Sequence, residues 1–176
     1  MGVGTMIALG VASELQFQAL AADKGNAGSL SARDYKFVCD VAEGGKMEVS
    51  LGQLAQQQGS VQPIRDFGQK MVTDHQKANQ DLMQILSQKG VTLPDTMDKD
   101  TKKVNHYQGL AGNKFDSEYI KDMVSDHKDT LKLLQTEADK GEDPDVKNWA
   151  TKTLPTVQEH LSLAESTEAA VKAMKP

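Results

Sequence analysis

The chain is poor in aromatic residues, which make up 5% of its 176 positions. Aromatic side chains favour strands, whereas the plentiful Ala, Gln, Leu, Met and Lys favour helices, so the composition predicts an all-α protein. Cysteine is nearly absent: Cys39 stands alone, which excludes an intramolecular disulfide and a zinc site built from paired thiolates. We expect Cys39 to be a small, partly buried apolar residue.

No long hydrophobic run occurs, and neither sign of charge dominates. The apolar stretch from Met1 to Ala12 is too short to span a membrane. Twenty basic residues stand against 25 acidic ones, for a net charge of −5, and both signs are interspersed. Because no basic stripe is present, we expect no nucleic-acid partner.

The first 22 residues differ in composition from the rest. Residues 19–21 (Ala-Leu-Ala) have the small-x-small form of a signal-peptidase site. No Lys or Arg precedes Lys24 and Glu14 interrupts the apolar stretch, so an amphipathic helix or a mis-assigned start is the alternative. We interpret residues 1–22 as an incomplete export signal of a periplasmic or otherwise exported protein. Residues 23–31 are small and polar and indicate a linker.

Residues 32–176 are long enough for one domain with its own core. Apolar residues recur at spacings of three and four in four segments. The predicted helices cover about Ala32–Gln58, Pro63–Gly90, Phe115–Gly141 and Pro144 to at least Ala164. Pro155 is expected to kink the fourth of them just before His160.

The connections between the predicted helices indicate their topology. The first and third connections are a few residues long, which forces antiparallel neighbours. The second spans about Val91–Asn113, long enough to cross a bundle, with a short helix around Lys102–Leu110. Two hairpins joined by one long crossover predict an antiparallel four-helix bundle of ferritin-like connectivity.

Three of the four histidines directly follow an acid and lie on the apolar face of a predicted helix. His75 and His127 each end a repeated pentapeptide, Met-Val-Thr/Ser-Asp-His, and His160 follows a glutamate. Glu48 lies on the inner face of the first helix, and Asp116 shares the inward stripe of His127. One inward polar residue per helix is the geometry of a core metal site. Imidazole and carboxylate together suit zinc, iron, manganese or copper.

Glycines lie close to these polar positions. Gly44 and Gly52 flank Glu48 by one turn, and Gly68 precedes His75 by two turns. Small residues here either let two helices approach closely or leave a pocket beside the polar groups.

Each histidine also has an ordinary structural explanation. Buried histidines are most often satisfied by one carbonyl or carboxylate and bind nothing. The preceding acids either orient a histidine on the next helix or face solvent. Met71 and Met123 fit core filler better than copper ligands. His106, in the crossover, is expected to be exposed and without a role.

Four segments carry a resemblance to known proteins. They are AEGGKMEVSLGQLA (42–55), IRDFGQKMVTDHQKAN (64–79), FDSEYIKDMVSDH (115–127) and WATKTLPTVQEHLSLA (149–164). In combination they resemble a bacterial ferritin-like family of unknown function, often labelled as outer membrane or exported proteins. The resemblance implies a four-helix ferritin-like fold and usually an export signal. It places Glu48, His75, Asp116, His127 and His160 at family motif positions and implies no activity.

The chain departs from di-iron ferritins because it has no Glu-x-x-His pair, which disfavours ferroxidase or oxygenase chemistry. A nucleophile elbow, a phosphate loop and a dinucleotide fingerprint are also missing from the sequence. We therefore predict a small exported protein that binds or buffers a transition metal (zinc, copper, iron or manganese) without turnover. The predicted ligands are Glu48, His75, His127 and His160, with Asp116 as a further ligand or as support for one.

Two other functions remain open. The first is a structural or interaction module of the cell envelope, in which the histidines form a buried hydrogen-bond network. The second, ranked last, is a metal-dependent oxidase. A homo-oligomer is compatible with all three functions, and the sequence identifies no envelope partner.

Overall fold

The computed structural model describes residues 25–95 and 98–174. Within these ranges the chain forms five helices and no strand, which confirms the all-α prediction. They are α1 (Ala32–Gln58), α2 (Gln62–Gln88), α3 (Asp98–Gln108), α4 (Gly112–Lys140) and α5 (Pro144–Ala173). The interpretation of residues 1–22 as an export signal lies outside the described residues, as does the start of the linker at 23–24.

Local sequence explains where the long helices begin. The Ser31 hydroxyl accepts a hydrogen bond from the Asp34 backbone N–H at 3.2 Å and caps α1. The Asp143 carboxylate caps α5 by accepting from two backbone N–H groups. Pro63 lies in the first turn of α2, where its missing N–H costs nothing. α5 is continuous through Pro155.

The helices pack as two hairpins. α1 packs along α2 and α4 packs along α5, as the short connections predicted. α2 also contacts α5, and α1 contacts both α4 and α3. The α3 helix, within the long connection between the hairpins, therefore lies against α1, and its side chains also bond to α4.

Polar contacts fix which helix ends meet. Asp34, at the start of α1, accepts from the Asp143 backbone N–H at 2.8 Å, and Lys89, just after α2, pairs with the Asp143 carboxylate at 2.8 Å. At the opposite end, the Ser60 backbone N–H donates to Asp116 near the start of α4 at 2.9 Å. The connection from α2 to α4 therefore runs from one end of the helices to the other.

The buried apolar residues form two clusters, one toward each end of the helices. The first contains Leu51, Ile64, Phe67, Met71, Phe115, Tyr119, Met123 and Ala164, with others. The second contains Phe37, Val38, Ala42, Leu82, Leu86, Leu134, Val146, Trp149 and Val157, with others. On the inner face of each long helix, one polar residue lies between the two clusters: Glu48, His75, His127 or His160. The molecule thus has a polar layer between two apolar ones.

Two glycines bring α1 and α2 into backbone contact beside this layer. A Cβ atom added at Gly68 would lie 2.6 Å from the Gly52 carbonyl oxygen, and one added at Gly52 would lie 2.8 Å from the Gly68 carbonyl oxygen. At Gly44, by contrast, an added Cβ would have no described atom within 4 Å. The two outcomes expected for these glycines therefore both occur: close approach of two helices at Gly52 and Gly68, and free space at Gly44.

This difference predicts opposite effects of two alanine substitutions. Gly68→Ala should lower the free energy of unfolding by about 2–3 kcal/mol, because the new methyl group forces the two helices apart. Gly44→Ala should raise it by up to about 1 kcal/mol, because alanine favours a helix and meets no steric conflict. Urea unfolding followed by circular dichroism measures both. If Gly68→Ala is as stable as Gly44→Ala, the close contact between α1 and α2 does not exist.

Candidate metal centre

His75, His127 and His160 converge from three helices. One ring nitrogen from each lies within 4.8 Å of the other two. The ring centroids are 5.9 Å apart for His75–His127 and 5.4 Å apart for both pairs that include His160. His127 and His160 are buried, and His75 is half-buried.

The spacing of these nitrogens is close to that of a ligand set. Three atoms no more than 4.8 Å apart fit in a circle of about 2.8 Å radius, against metal–imidazole bonds of about 2.0–2.1 Å. A shift of about 0.7 Å per side chain would bring all three nitrogens to bonding distance of a shared ion. Small side-chain rotations achieve shifts of that size.

Hydrogen bonds orient two of the three imidazoles. His127 Nδ1 donates to the Met123 carbonyl oxygen at 2.8 Å, which leaves Nε2 as the nitrogen with the lone pair. His160 Nε2 donates to an Asp74 carboxylate oxygen at 2.8 Å, which leaves Nδ1 with the lone pair. In the neutral form, each of these two rings therefore carries its proton on the bonded nitrogen and has one free acceptor nitrogen.

The free nitrogens have no hydrogen-bond partner in the part of the chain that the structure describes. His75 Nε2, His127 Nε2 and His160 Nδ1 are all buried and unpaired among these residues. A buried polar atom without a partner costs about 1–3 kcal/mol. In a hydrogen-bond network of histidines, these nitrogens would bond to one another. In a metal site, they must have no other partner.

Asp74 supports His160 in the way that carboxylates support metal-binding histidines. It also pairs with Lys70 at 3.0 Å. Asp74 precedes His75 in the chain but orients a histidine on another helix, one of the two roles foreseen for these acids. The acids that precede His127 and His160 do not orient a histidine. Asp126 pairs with a lysine of α3, and Glu159 is largely exposed beside Lys70.

Burial keeps the histidines uncharged. Desolvation lowers the pKa of His75 to about 3 and that of His127 to about 4. It also lowers the pKa of His160, although the Asp74 carboxylate acts in the opposite direction. Neutral imidazole is the form that binds metal, so all three rings are ready as ligands at neutral pH.

Glu48 lies beside the histidines. Its side chain is buried and lines the same cavity as His75 and His127, and its Oε2 has no hydrogen-bond partner among the described residues. Its pKa is raised to about 8, first by burial and then by the Asp126 carboxylate, while Lys103 acts in the opposite direction. Glu48 is outside the group of donor atoms that lie within 4.8 Å of one another.

Asp116 is not brought to the histidines. It accepts hydrogen bonds from the Ser60 backbone N–H at 2.9 Å and from the Ser60 hydroxyl. Asp116 precedes His127 by eleven residues, about 16 Å along α4. Asp116 therefore faces the interior on the same side of α4 as His127, as expected. Its carboxylate, however, holds the α1–α2 turn against α4. His106 is exposed and pairs with Glu118 at 3.0 Å, as expected for a histidine without a role.

A cavity of about 280 Å³ adjoins the site, between α1, α2, α4 and α5. Glu48, His75 and His127 line it together with Gly44, where the missing side chain leaves room. Sequence reasoning missed the hydrogen bond that His127 donates to the Met123 carbonyl and left open whether Asp74 accepts one from a histidine, because both contacts depend on how rings turn in the packed core. The acid before His75 was the available signal for the second of them.

Fold and site together define an all-α protein with a buried cluster of three histidines at its middle. Residues 19–167 match the family described as Domain of unknown function (DUF4142), and the chain belongs to this family. The resemblance to a family of unknown function is thereby confirmed. Comparisons with curated proteins and with solved structures found no match. Within the described ranges, no helix is long and apolar enough to cross a membrane.

Proposed function

We propose that this protein binds or buffers a transition metal ion through His75, His127 and His160, without catalytic turnover. One observation carries the proposal: one ring nitrogen from each of three histidines lies within 4.8 Å of the other two, and each ring has a buried nitrogen without a partner among the described residues. An ion at their centre would satisfy all three at once. A set of imidazoles favours zinc, copper or iron over manganese.

In this proposal Glu48 neutralises the ion from the cavity wall. Three neutral imidazoles leave the full charge of a divalent ion in a buried site, which is costly without an anion nearby. Glu48 is the buried acid that shares the cavity with two of the three ligands. It contributes to affinity through its charge, and the three histidines provide the bonds.

We further propose that the four long helices form a ferritin-like bundle in one domain of residues 32–176. The two hairpins and the end-to-end connection that carries α3 support this arrangement. Residues 1–22 remain a proposed export signal of a periplasmic or otherwise exported protein. N-terminal sequencing of protein from the cell envelope tests this, because cleavage gives a mature chain that begins near Ala22.

Metal analysis tests the proposed function directly. Protein expressed without an affinity tag and purified without chelators should contain about one equivalent of zinc, copper or iron. Calorimetry on the chelator-treated protein should show one saturable site. Substoichiometric metal, together with no saturable binding of zinc, copper, iron or manganese, would refute the proposal.

The alternative of a structural module has one observation in its favour. His127 and His160 each make one hydrogen bond, to Met123 and Asp74, as buried histidines do without any metal. That explanation leaves three buried nitrogens unpaired, so we rank it second. It predicts a folded protein that takes up no ion.

The Asp74–His160 contact provides a second test. Asp74→Asn should weaken metal binding about 10- to 100-fold, because the ring loses the carboxylate that orients it and raises its basicity. Glu159→Gln is the matched control: this acid directly precedes His160 but its side chain is largely exposed, so affinity should change less than about twofold. Competition with a chromophoric chelator measures both. Equal effects of the two substitutions would remove Asp74 from the site.

A further inference from the structure

The cavity beside the histidines has the size of a small-molecule site. It encloses about 280 Å³, and its lining on α1 runs from Asp40 to Glu48, about 12 Å along the helix. An engineered apolar cavity of about 150 Å³ holds benzene, so this one suits a ligand of roughly ten non-hydrogen atoms. The metal ion would use little of this space.

One wall of the cavity is apolar. Val41, Leu133, Leu134, Trp149 and Val157 contribute to it from three helices. Leu134 and Val157 are almost fully buried, and Trp149 is 9% exposed. This surface favours a planar, mainly apolar body.

Apart from His75 and His127, which burial keeps neutral, the ionisable groups of the cavity are all acidic. Asp40, Glu48, Asp126 and Asp129 line it, and the lining residues include no Lys or Arg in the ranges that the structure describes. Lys103, the nearby cation, already pairs with Asp126 at 2.5 Å. Glu48 is 6% exposed, and its Oε2 is an acceptor without a partner among the described residues. The acids would repel an anion, whereas N–H groups carrying positive charge would be attracted to them and would favour the ionised form of Glu48.

We propose that this cavity binds a small aromatic cation, with its ring against the Trp149 wall and its N–H groups toward Glu48. The proposal does not rest on metal binding, because it uses the apolar wall and the acids rather than the free nitrogens of the histidines. It adds an organic ligand to a protein for which the histidine cluster alone suggests an ion.

Three ligands of the same shape and different charge test the proposal: benzamidine, benzamide and benzoate. Trp149 is the single tryptophan of the chain, so its fluorescence reports occupancy of the cavity directly. In full-length protein kept in chelator, benzamidine should give a saturable change. Benzamide should bind at least tenfold more weakly, and benzoate should not bind. Equal affinities, a preference for benzoate, or no saturable change with benzamidine would each overturn the proposal.

Two pairs of variants locate the site. Gly44→Leu fills the cavity from a position where a Cβ meets no described atom within 4 Å, and should reduce benzamidine affinity at least tenfold. Gln53→Leu adds the same side chain at an exposed position of the same helix and should leave affinity unchanged. Glu48→Gln should remove the preference for benzamidine over benzamide, and Glu159→Gln should retain it. If Gly44→Leu binds benzamidine like the wild type, the ligand lies elsewhere and the proposal fails.

The same preparation separates this proposal from the proposed metal function. The fluorescence titrations take place in chelator, where metal is absent by design, and calorimetry with metal is done after the chelator is removed. Failure of metal binding with intact benzamidine binding would refute the ion site alone. The reverse result would refute the organic ligand alone.

Discussion

His127→Ala should weaken metal binding at least 100-fold. The free nitrogen of His127 is held in place, because its Nδ1 is bonded to the Met123 carbonyl and its side chain is 2% exposed. Removing it leaves two imidazoles, and an ion held by two ligands in a buried site loses a large part of its binding free energy. Calorimetry with zinc and with copper on the chelator-treated protein measures the change.

His106→Ala is the control for that experiment. His106 lies on α3, is exposed and contacts Glu118, so its loss should change metal affinity less than about twofold. Circular dichroism establishes that both variants remain helical, and His127→Gln, which keeps most of the volume, guards against a loss caused by a collapsed core. Undiminished affinity in folded His127→Gln would show that the ion, if bound, is held elsewhere.

Glu48→Gln should have opposite effects on stability and on metal affinity. Burial raises the pKa of Glu48 from 4.5 to about 8, so between these values the folded protein holds a proton that the unfolded chain releases. The contribution of Glu48 to stability is therefore fully present below about pH 4.5 and is lost as the pH rises toward 8. Glutamine does not titrate. The free energy of unfolding of the metal-free variant, relative to that of the wild type, should therefore rise by about 1.4 kcal/mol for each pH unit between 4.5 and 8.

Urea unfolding in chelator at several pH values between 4.5 and 8 measures this difference. Glu159→Gln, at an exposed position, should show no such trend relative to wild type. Metal affinity of Glu48→Gln should fall about tenfold at neutral pH, because the ion loses its nearest buried negative charge. A stability difference that does not vary with pH would mean that Glu48 is hydrated rather than buried.

Both predictions follow from one property of the polar layer. Four buried atoms in it, one each from Glu48, His75, His127 and His160, lack partners among the described residues. Unpaired groups of this kind reduce stability, and a ligand that binds only the folded state restores it. Under the proposed function, a bound ion would offset the cost of these unpaired atoms in the folded protein.

The helices and their pairing could be read from the sequence because local rules determine them. Spacings of three and four, the caps at Ser31 and Asp143, and Pro63 in a first turn define α1, α2 and α5 within a few residues. Short connections force antiparallel pairs, and these pairs are present. The start of α4 was less well defined: it begins at Gly112 rather than near Phe115.

Periodicity also indicated that His75, His127 and His160 face inward, because each is four residues from an apolar position on the same stripe. Periodicity could not show which residues of the neighbouring helices each of these side chains meets. Asp116 is on the same face of α4 as His127 and yet lies near the start of that helix, against Ser60, while His127 lies at its middle. The periodicity of a helix shows which way a side chain faces, whereas the offset between packed helices determines which side chains meet along their length.

What the sequence by itself determined is therefore the helices, their antiparallel pairing and the inward direction of the polar residues, all of which depend on neighbours in the chain. The tertiary structure alone decided the rest: that three imidazoles meet, that Asp74 orients His160 across a helix interface, and that Glu48 stands beside them. The physical reason is that these contacts join residues 27 to 86 positions apart in the chain. Their distances depend on how closely helices approach, which at Gly52 and Gly68 is determined by the absence of a side chain on both partners.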